Sequence, residues 1–483
     1  MVRLLNVYTI SMFAALGGAL FGFEIGSMSI IIGTPQYQKF FNNPLGLRQG
    51  IITSATACGS FVGALSASIL ADRFSRKLTI QLSAILWCIG SCLQSASSGV
   101  PMHVIGRAVA GLCIRLTSTV VPIYQSEIAP RKIRGRVVEI QNWVLGCGLV
   151  IQYFIQYGCS HIDSTAAFRV PWAIQTIPAI ILWSEALLVL AFLRTANCDP
   201  NEPLVIAKYK EIEAQILAER ELSANSYREL VGRRLRKRLF IGMMIQAFTQ
   251  LGGINFLMYF IVDIQSSVSN KYALLTSSLL NVFGILSGIP VLIWTDKWGR
   301  RSSLLVGAVS MAFWMYFAGG LFATFGEKNP VENQAYTWII VNQPVISGFV
   351  QAAMYLFVIS YSMSWGSSWI YPPEIMPQLA RAKGVSMTTA TNWLFNSVLG
   401  LSVPPLWRAI SWRIFVIFGS VHVAAFAFVW LLVPETKQRT LEEMDEVFEH
   451  GEPLWRSFTN VGNCDRLDIL ASEIANSSHA KSG

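Results

Sequence analysis

LADRFSRK, residues 70–77, returns as WTDKWGRR at residues 294–301: an acid and a basic cluster in a short turn between apolar runs. A second pair follows in the same order, SEIAPRKIRGR at 126–136 and PEIMPQLARAKG at 373–384. Two unrelated motifs recurring in one order imply that the chain is a duplicated unit. Working outward from these turns, apolar runs stand near 5–32, 49–71, 78–97, 101–126, 138–158 and 171–193, then near 239–264, 272–295, 302–325, 344–371, 383–405 and 412–433. Each is long enough to cross a bilayer, which takes about 20 residues of helix. Lipid offers the backbone no hydrogen bonds, so runs too long for barrel strands must be helices.

Composition agrees with that reading. Of 483 residues 53% are apolar and 13% charged, against roughly 25% charged in a soluble domain, and mean hydropathy is +0.47. A soluble enzyme is excluded on these numbers. The formal charge of +9 would suggest nucleic acid in a soluble protein, but here the positives occupy short loops. One side collects Arg73, Arg76, Lys77, Arg131, Lys132, Arg134, Arg136, Lys297, Arg300, Arg301, Arg381 and Lys383; the other only Lys39, Arg48, Arg169, Lys271, Lys328, Arg408 and Arg413. The richer side is expected to be cytoplasmic, with both termini on it. The first run is too long for a signal-peptide core and lacks a small-residue cleavage site, so it reads as a retained span.

Of eight cysteines, Cys58, Cys88, Cys92, Cys113 and Cys147 lie in apolar runs, and no disulfide framework or CxxC metal spacing occurs. No metal, cofactor, nucleophile triad or phosphate loop is expected, and hence no covalent chemistry. The expected organisation is an all-α membrane protein with twelve spans in two six-helix bundles. Its N-terminal bundle is 1–193, a cytoplasmic helical linker 194–238, a C-terminal bundle 239–433 and a cytoplasmic tail 434–483. Parallel six-span repeats of this kind place a substrate site at the midplane between the halves.

The motifs resemble the sugar porter family of the major facilitator superfamily over nearly the whole chain. The strings are GGALFGFEIG (17–26), GRAVAG (106–111), PIYQSEIAPRKIRGR (122–136), QLGGINFLMYF (250–260), DKWGRR (296–301), SWGSSWIYPPEI (364–375), NWLFN (392–396) and PETKQRTLEE (434–443). FGFEIGSMS and NWLFN are similar to fungal hexose permeases of the high-affinity glucose type. The resemblance implies a monomeric multi-pass protein of the plasma membrane that carries a sugar by alternating access, with proton symport.

A sugar's hydroxyls need paired donors and acceptors in a dry site, and amides supply both; its apolar faces stack on indoles. Gln246 and Gln250 lie four apart on one helix face, and the pair Gly252–Gly253 can bend the helix so that Asn255 turns inward. By resemblance these three bind sugar, together with Asn142, Trp369, Asn392, Trp393 and Asn396. Thr249 stands where many members carry a second glutamine. Glu24, midway along the first span, is costly in hydrocarbon and functional by default, and the resemblance pairs it with Arg107 for proton coupling. Gates are expected at Tyr259 and Phe260 on the outside. On the cytoplasmic side they are expected among Asp72, Arg73, Arg76, Glu127, Arg134, Asp296, Arg300, Arg301, Glu374 and Arg381.

The chain departs from the pattern in four places. Ser68 and Ser75 replace glycines of the first turn motif, and Arg115 occupies a position usually small, where it either faces the cavity or harms the protein. AFLRTANCDPNEP (191–203) leads almost directly into the later helix, so PETK has no first-half partner. The alternatives are a facilitative uniporter, a non-transporting sugar sensor, a degenerate paralogue, or a carrier of a polyol, disaccharide or quinate-like acid.

Overall fold

A computed structural model describes residues 15–73, 76–128, 134–183, 235–268, 273–329, 337–377 and 380–437 and a few single positions, with only the backbone over 68–73, 76–77, 122–128, 134–140 and 292–297 and at Ser29, Thr119, Asn142 and Ala382. Nearly all of the linker and most of the tail lie outside the described residues.

Twelve helical spans occur among the described residues. In the first half these are α1 Leu16–Ile32, α2 Leu47–Arg73, α3 Arg76–Ser95, α4 Val100–Ile128, α5 Arg134–Cys159 and α6 Ala166–Trp183. In the second they are α7, as Arg236–Leu251 and Ile254–Val268; α8 Ala273–Trp298; α9 Arg300–Phe325; α10, as Pro344–Met363, a tight turn Trp365–Trp369 and Tyr371–Ile375; α11 Arg381–Ile410; and α12 Arg413–Leu432. Nine described stretches are apolar and long enough to cross a bilayer on those grounds alone. α11 is not among them because it is rich in Thr, Ser and Asn. Thr388, Thr389, Asn392 and Asn396 are buried while Leu394 and Val398 are exposed, so its polar face meets protein and its apolar face meets lipid.

Packing repeats between the halves. α1 lies on α5, α2 on α4 and α3 on α6; correspondingly α7 lies on α11, α8 on α10 and α9 on α12. The two six-helix bundles meet along α2 and α11, α5 and α8, and α1 and the second segment of α7. This is the twelve-helix major facilitator fold, as the duplicated turns imply.

Two details were not expected. A two-residue antiparallel ladder pairs Glu327 with Ile339 and Lys328 with Trp338 between α9 and α10. α10, read as one run over 344–371, breaks at Ser364 (φ −128°, ψ −71°) and resumes through Pro372 to Ile375. Pro372 and Pro373 fall in the first turn of the resumed segment, where a helix has no use for their missing N–H groups.

Helices without a hydrophobic force between them associate by close packing, which small residues permit. A Cβ on Gly59 would sit 1.9 Å from the Ala108 carbonyl oxygen, and one on Gly111 2.0 Å from that of Thr56. α2 and α4 therefore touch backbone to backbone. Gly59→Val should destabilise the fold by about 1–3 kcal/mol through overpacking, whereas Gly288→Val, which meets nothing within 4 Å, should be neutral. Thermal unfolding of the two variants in detergent checks this, and equal midpoints would refute it.

Candidate functional site

In α7 the helix that starts at Arg236 ends at Gly252, and Gly253 takes φ +90° before the chain restarts at Ile254. Only glycine adopts this conformation cheaply. A Cβ at Gly253 would also lie 2.7 Å from the Phe418 ring. The break does two things. It turns Asn255 back, so that its Nδ2 donates to Gln250 Oε1. It also leaves the Gly252 carbonyl to be bonded by His422 Nε2 of α12 at 2.9 Å.

The amides run on from there as a chain. Gln250 Nε2 donates to Asn392 Oδ1 at 2.8 Å, and Asn392 Nδ2 donates to Gln246 Oε1 at 2.8 Å. Gln246 Nε2 ends the chain on the Ser368 carbonyl at 3.3 Å. Thr249, in place of a second glutamine, donates to Ser368 Oγ at 3.1 Å and so ties α7 to the break in α10. All four amide residues are buried. Helices α7, α10 and α11 of the second bundle thus converge on one cluster of donors and acceptors.

The other expected site residues fall around it. Asn396 is hydrogen-bonded to Tyr259, and its Oδ1 has no described partner. The Trp393 ring lies 5.3 Å from Phe21 of α1, where it packs the halves together. Trp369 is partly exposed, and the Arg115 guanidinium of α4 lies 5.6 Å from its ring centre. Arg115 therefore reaches from the first bundle to an indole of the second, and its Nη1 also donates to Ser118 Oγ at 3.4 Å. The side chain of Asn142 lies outside the described residues.

Glu24 and Arg107 meet at 3.1 Å with side-chain exposures of 2% and 1%. Thr56 of α2 donates to the same carboxylate oxygen, Oε1, at 2.8 Å, while Oε2 has no described partner. Three helices of the first bundle are thereby joined at one buried carboxylate.

Tyr259 and Phe260 are buried, and Phe260 has non-helical angles (φ −113°, ψ 17°) that put a second kink in α7. On the face with the basic turns, Arg300 pairs with Glu374 at 3.1 Å, and Thr436 donates to the other Glu374 oxygen at 2.6 Å. Arg301 Nη2 donates to the Trp430 carbonyl at 2.6 Å, and Arg381 is half-buried nearby. The side chains of Asp72, Arg73, Arg76, Glu127, Arg134 and Asp296 lie outside the described residues.

Sequence reasoning missed His422 and Glu435. His422 sits among apolar residues of α12 and gives no signal until the α7 break supplies its partner. Glu435 belongs to a quoted motif, but its role is visible only here: its carboxylate accepts the N–H groups of Arg300 at 2.8 Å and Arg301 at 3.1 Å, capping α9.

Residues 10–448 match the family described as "Sugar (and other) transporter". The chain is 44% identical to "MFS glucose transporter mfs1" of Aspergillus flavus, over 97% of this chain and 94% of that one. It is 34% identical to the "High-affinity glucose transporter" of Kluyveromyces lactis, over 98% and 90%. Its fold resembles the xylose transporter XylE from E. coli in an inward-open conformation, with a TM-score of 0.73 and 23% identity over 92% of this chain and all of that one.

The buried pair makes a stability prediction independent of substrate. Arg107→Met strands the Glu24 carboxylate and should cost about 3–5 kcal/mol, most of it restored by adding Glu24→Gln. Unfolding midpoints in detergent read this out; an Arg107→Met protein that melts with the wild type would refute it.

Proposed function

The chain belongs to the family of sugar (and other) transporters and is not an enzyme, and from that premise we propose that it carries a hexose across the plasma membrane by alternating access. The supporting observation is the buried amide chain Asn255–Gln250–Asn392–Gln246 at the α7 break. These amides satisfy one another, and a hydroxyl-rich ligand can exchange into the same bonds without leaving a buried donor or acceptor unpaired. The naming of the two relatives as glucose transporters supports a hexose.

In this reading the bundles 1–193 and 239–433 rock about the site as a monomer, joined by 194–238, with the tail 434–483 beyond them. The face bearing Arg300, Arg301 and Arg381 is cytoplasmic, as are both termini. The ion pair Arg300–Glu374 latches that side, and Tyr259 and Phe260 close the other. Coupling to protons falls to Glu24. Ionised, it holds Arg107 and Thr56 to α1; protonated, it loses the attraction for Arg107 and frees α4 to move. Arg115 beside Trp369 favours a sugar acid as a second substrate class.

Uptake of labelled hexoses, pentoses, polyols and sugar acids at two pH values, in cells lacking their own hexose carriers, tests the proposal. A hexose should be taken up, faster under an inward proton gradient. Gln250→Ala loses two amide bonds of about 1 kcal/mol each and should raise KM at least tenfold. Glu24→Gln should abolish the response to the gradient. No hexose uptake would sink the reading; gradient-independent wild-type uptake would reduce it to uniport.

A further inference from the structure

Asp263 lies in the second segment of α7, eight residues beyond Asn255 and so about 12 Å farther along the helix. That is too far to share one sugar with the amide chain. Its side chain is buried at 6% exposure, and its Oδ2 is buried without a hydrogen-bond partner. Among the described residues no basic group comes within ion-pair distance of it. A carboxylate taken from water and left unpaired carries a large desolvation cost, so the fold holds it there in want of a donor.

The carboxylate lines a cleft of about 440 Å³, open space included, on the face opposite the basic turns. The cleft walls come from both bundles: Gln38 and Gln49 from the first, Phe260, Trp407 and Arg408 from the second. Gln49 Nε2 donates to Thr53 at 3.2 Å and Gln38 Nε2 to the Ile32 carbonyl at 3.4 Å, and the Gln38 side chain is exposed to the outside. Amides, a carboxylate and two aromatic rings around one opening combine acceptors and donors for hydroxyls with apolar surfaces for a sugar face. Phe260 is at once a wall of the cleft and the kink in α7, so the cleft adjoins the gate on its outer side.

We propose that Asp263 and this cleft form an outer subsite that takes a neutral, hydroxyl-rich sugar, its hydroxyls donating to the carboxylate, before the gate admits it to the amide chain. This rests on the hexose-permease reading. An outer subsite acts on capture from one side only. Because the protein cannot shift the overall equilibrium, kcat/KM changes by one factor in both directions: losing the subsite raises KM for entry at unchanged entry kcat, and for exit lowers kcat at unchanged KM, a split that a merely structural carboxylate would not produce.

The test measures zero-trans uptake of glucose and efflux from preloaded cells, with surface expression followed for each variant. Asp263→Ala should raise entry KM about tenfold with entry kcat within twofold, and lower exit kcat about tenfold with exit KM unchanged. Asp263→Asn, which keeps one acceptor, should fall between Ala and the wild type. Entry KM within twofold of wild type for Asp263→Ala would overturn the proposal, as would an equal rise in exit KM or loss of the protein from the surface in both variants. A change confined to pH-gradient dependence would overturn it as well, by making Asp263 a proton site. Wild-type protein that moves no sugar would overturn the parent reading and this one with it; wild-type uptake with unchanged Asp263→Ala kinetics overturns this one alone.

Discussion

Gly253 sits at φ +90° with the Phe418 ring where its Cβ would be, and the arrangement around the amide chain depends on this one left-handed residue. A continuous helix would place Asn255 more than a full turn beyond Gln250 and close the Gly252 carbonyl into the backbone ladder. Interrupting the helix frees that carbonyl, which in hydrocarbon must find another donor; His422 supplies it from α12. The same break lets the second segment of α7 lean on α1, where a Cβ on Gly33 would meet Val262 at 2.6 Å. The amide chain and a contact between the bundles thus both depend on one backbone conformation.

Buried charge in the spans is handled differently at each place. Glu24 gives one oxygen to Arg107 and Thr56, and its other oxygen has no described partner. Arg115 sets its guanidinium over an indole, where the ring quadrupole attracts it. Arg300 and Arg301 sit at a helix start next to Glu374 and Glu435, and both carboxylates are bonded through both oxygens. Near the basic face Glu374 and Glu435 thus use both oxygens, while Glu24, deeper in the first bundle, uses one.

How much of this was legible in the sequence follows from range. The duplicated turns gave the repeat, and spacing of four along a helix gave Gln246 with Gln250; both are local. The Glu24–Arg107 pair was legible because a span tolerates so few charges that each seeks a partner. The glycine pair announced the α7 break, but Pro372–Pro373 did not announce that α10 breaks eight residues earlier, at Ser364, because the apolar run continues through it. His422 was illegible for a different reason: its significance lies in what approaches it from another helix, and a single histidine in an apolar run carries no periodic signal. Asp263 is an acid in a span like Glu24 and falls under the same rule of scarce charge, but no intramembrane arginine offered it a partner. Arg115 was noticed as a departure, but only the position of Trp369 decides that it faces the other bundle rather than lipid.

Ser75 and the missing partner of PETK were read as two separate departures, and the second half shows that they answer one another. Gly299 opens α9 at φ +81°, and a Cβ there would lie 2.7 Å from Glu435 Oε2. Glycine is required at that turn for its backbone angle and because a carboxylate is packed against it. The carboxylate earns its place by taking the first free N–H groups of α9. In the first half Ser75 stands in the position of Gly299, and AFLRTANCDPNEP leads on without any counterpart of PETK. With no PETK counterpart in the sequence, half of the demand for glycine disappears, and serine is itself a good residue to precede a helix. A chain drifting out of use would lose the two features independently. Losing the capping acid together with the glycine that makes room for it is a coherent change, and it removes one of the supports for reading the protein as degenerate.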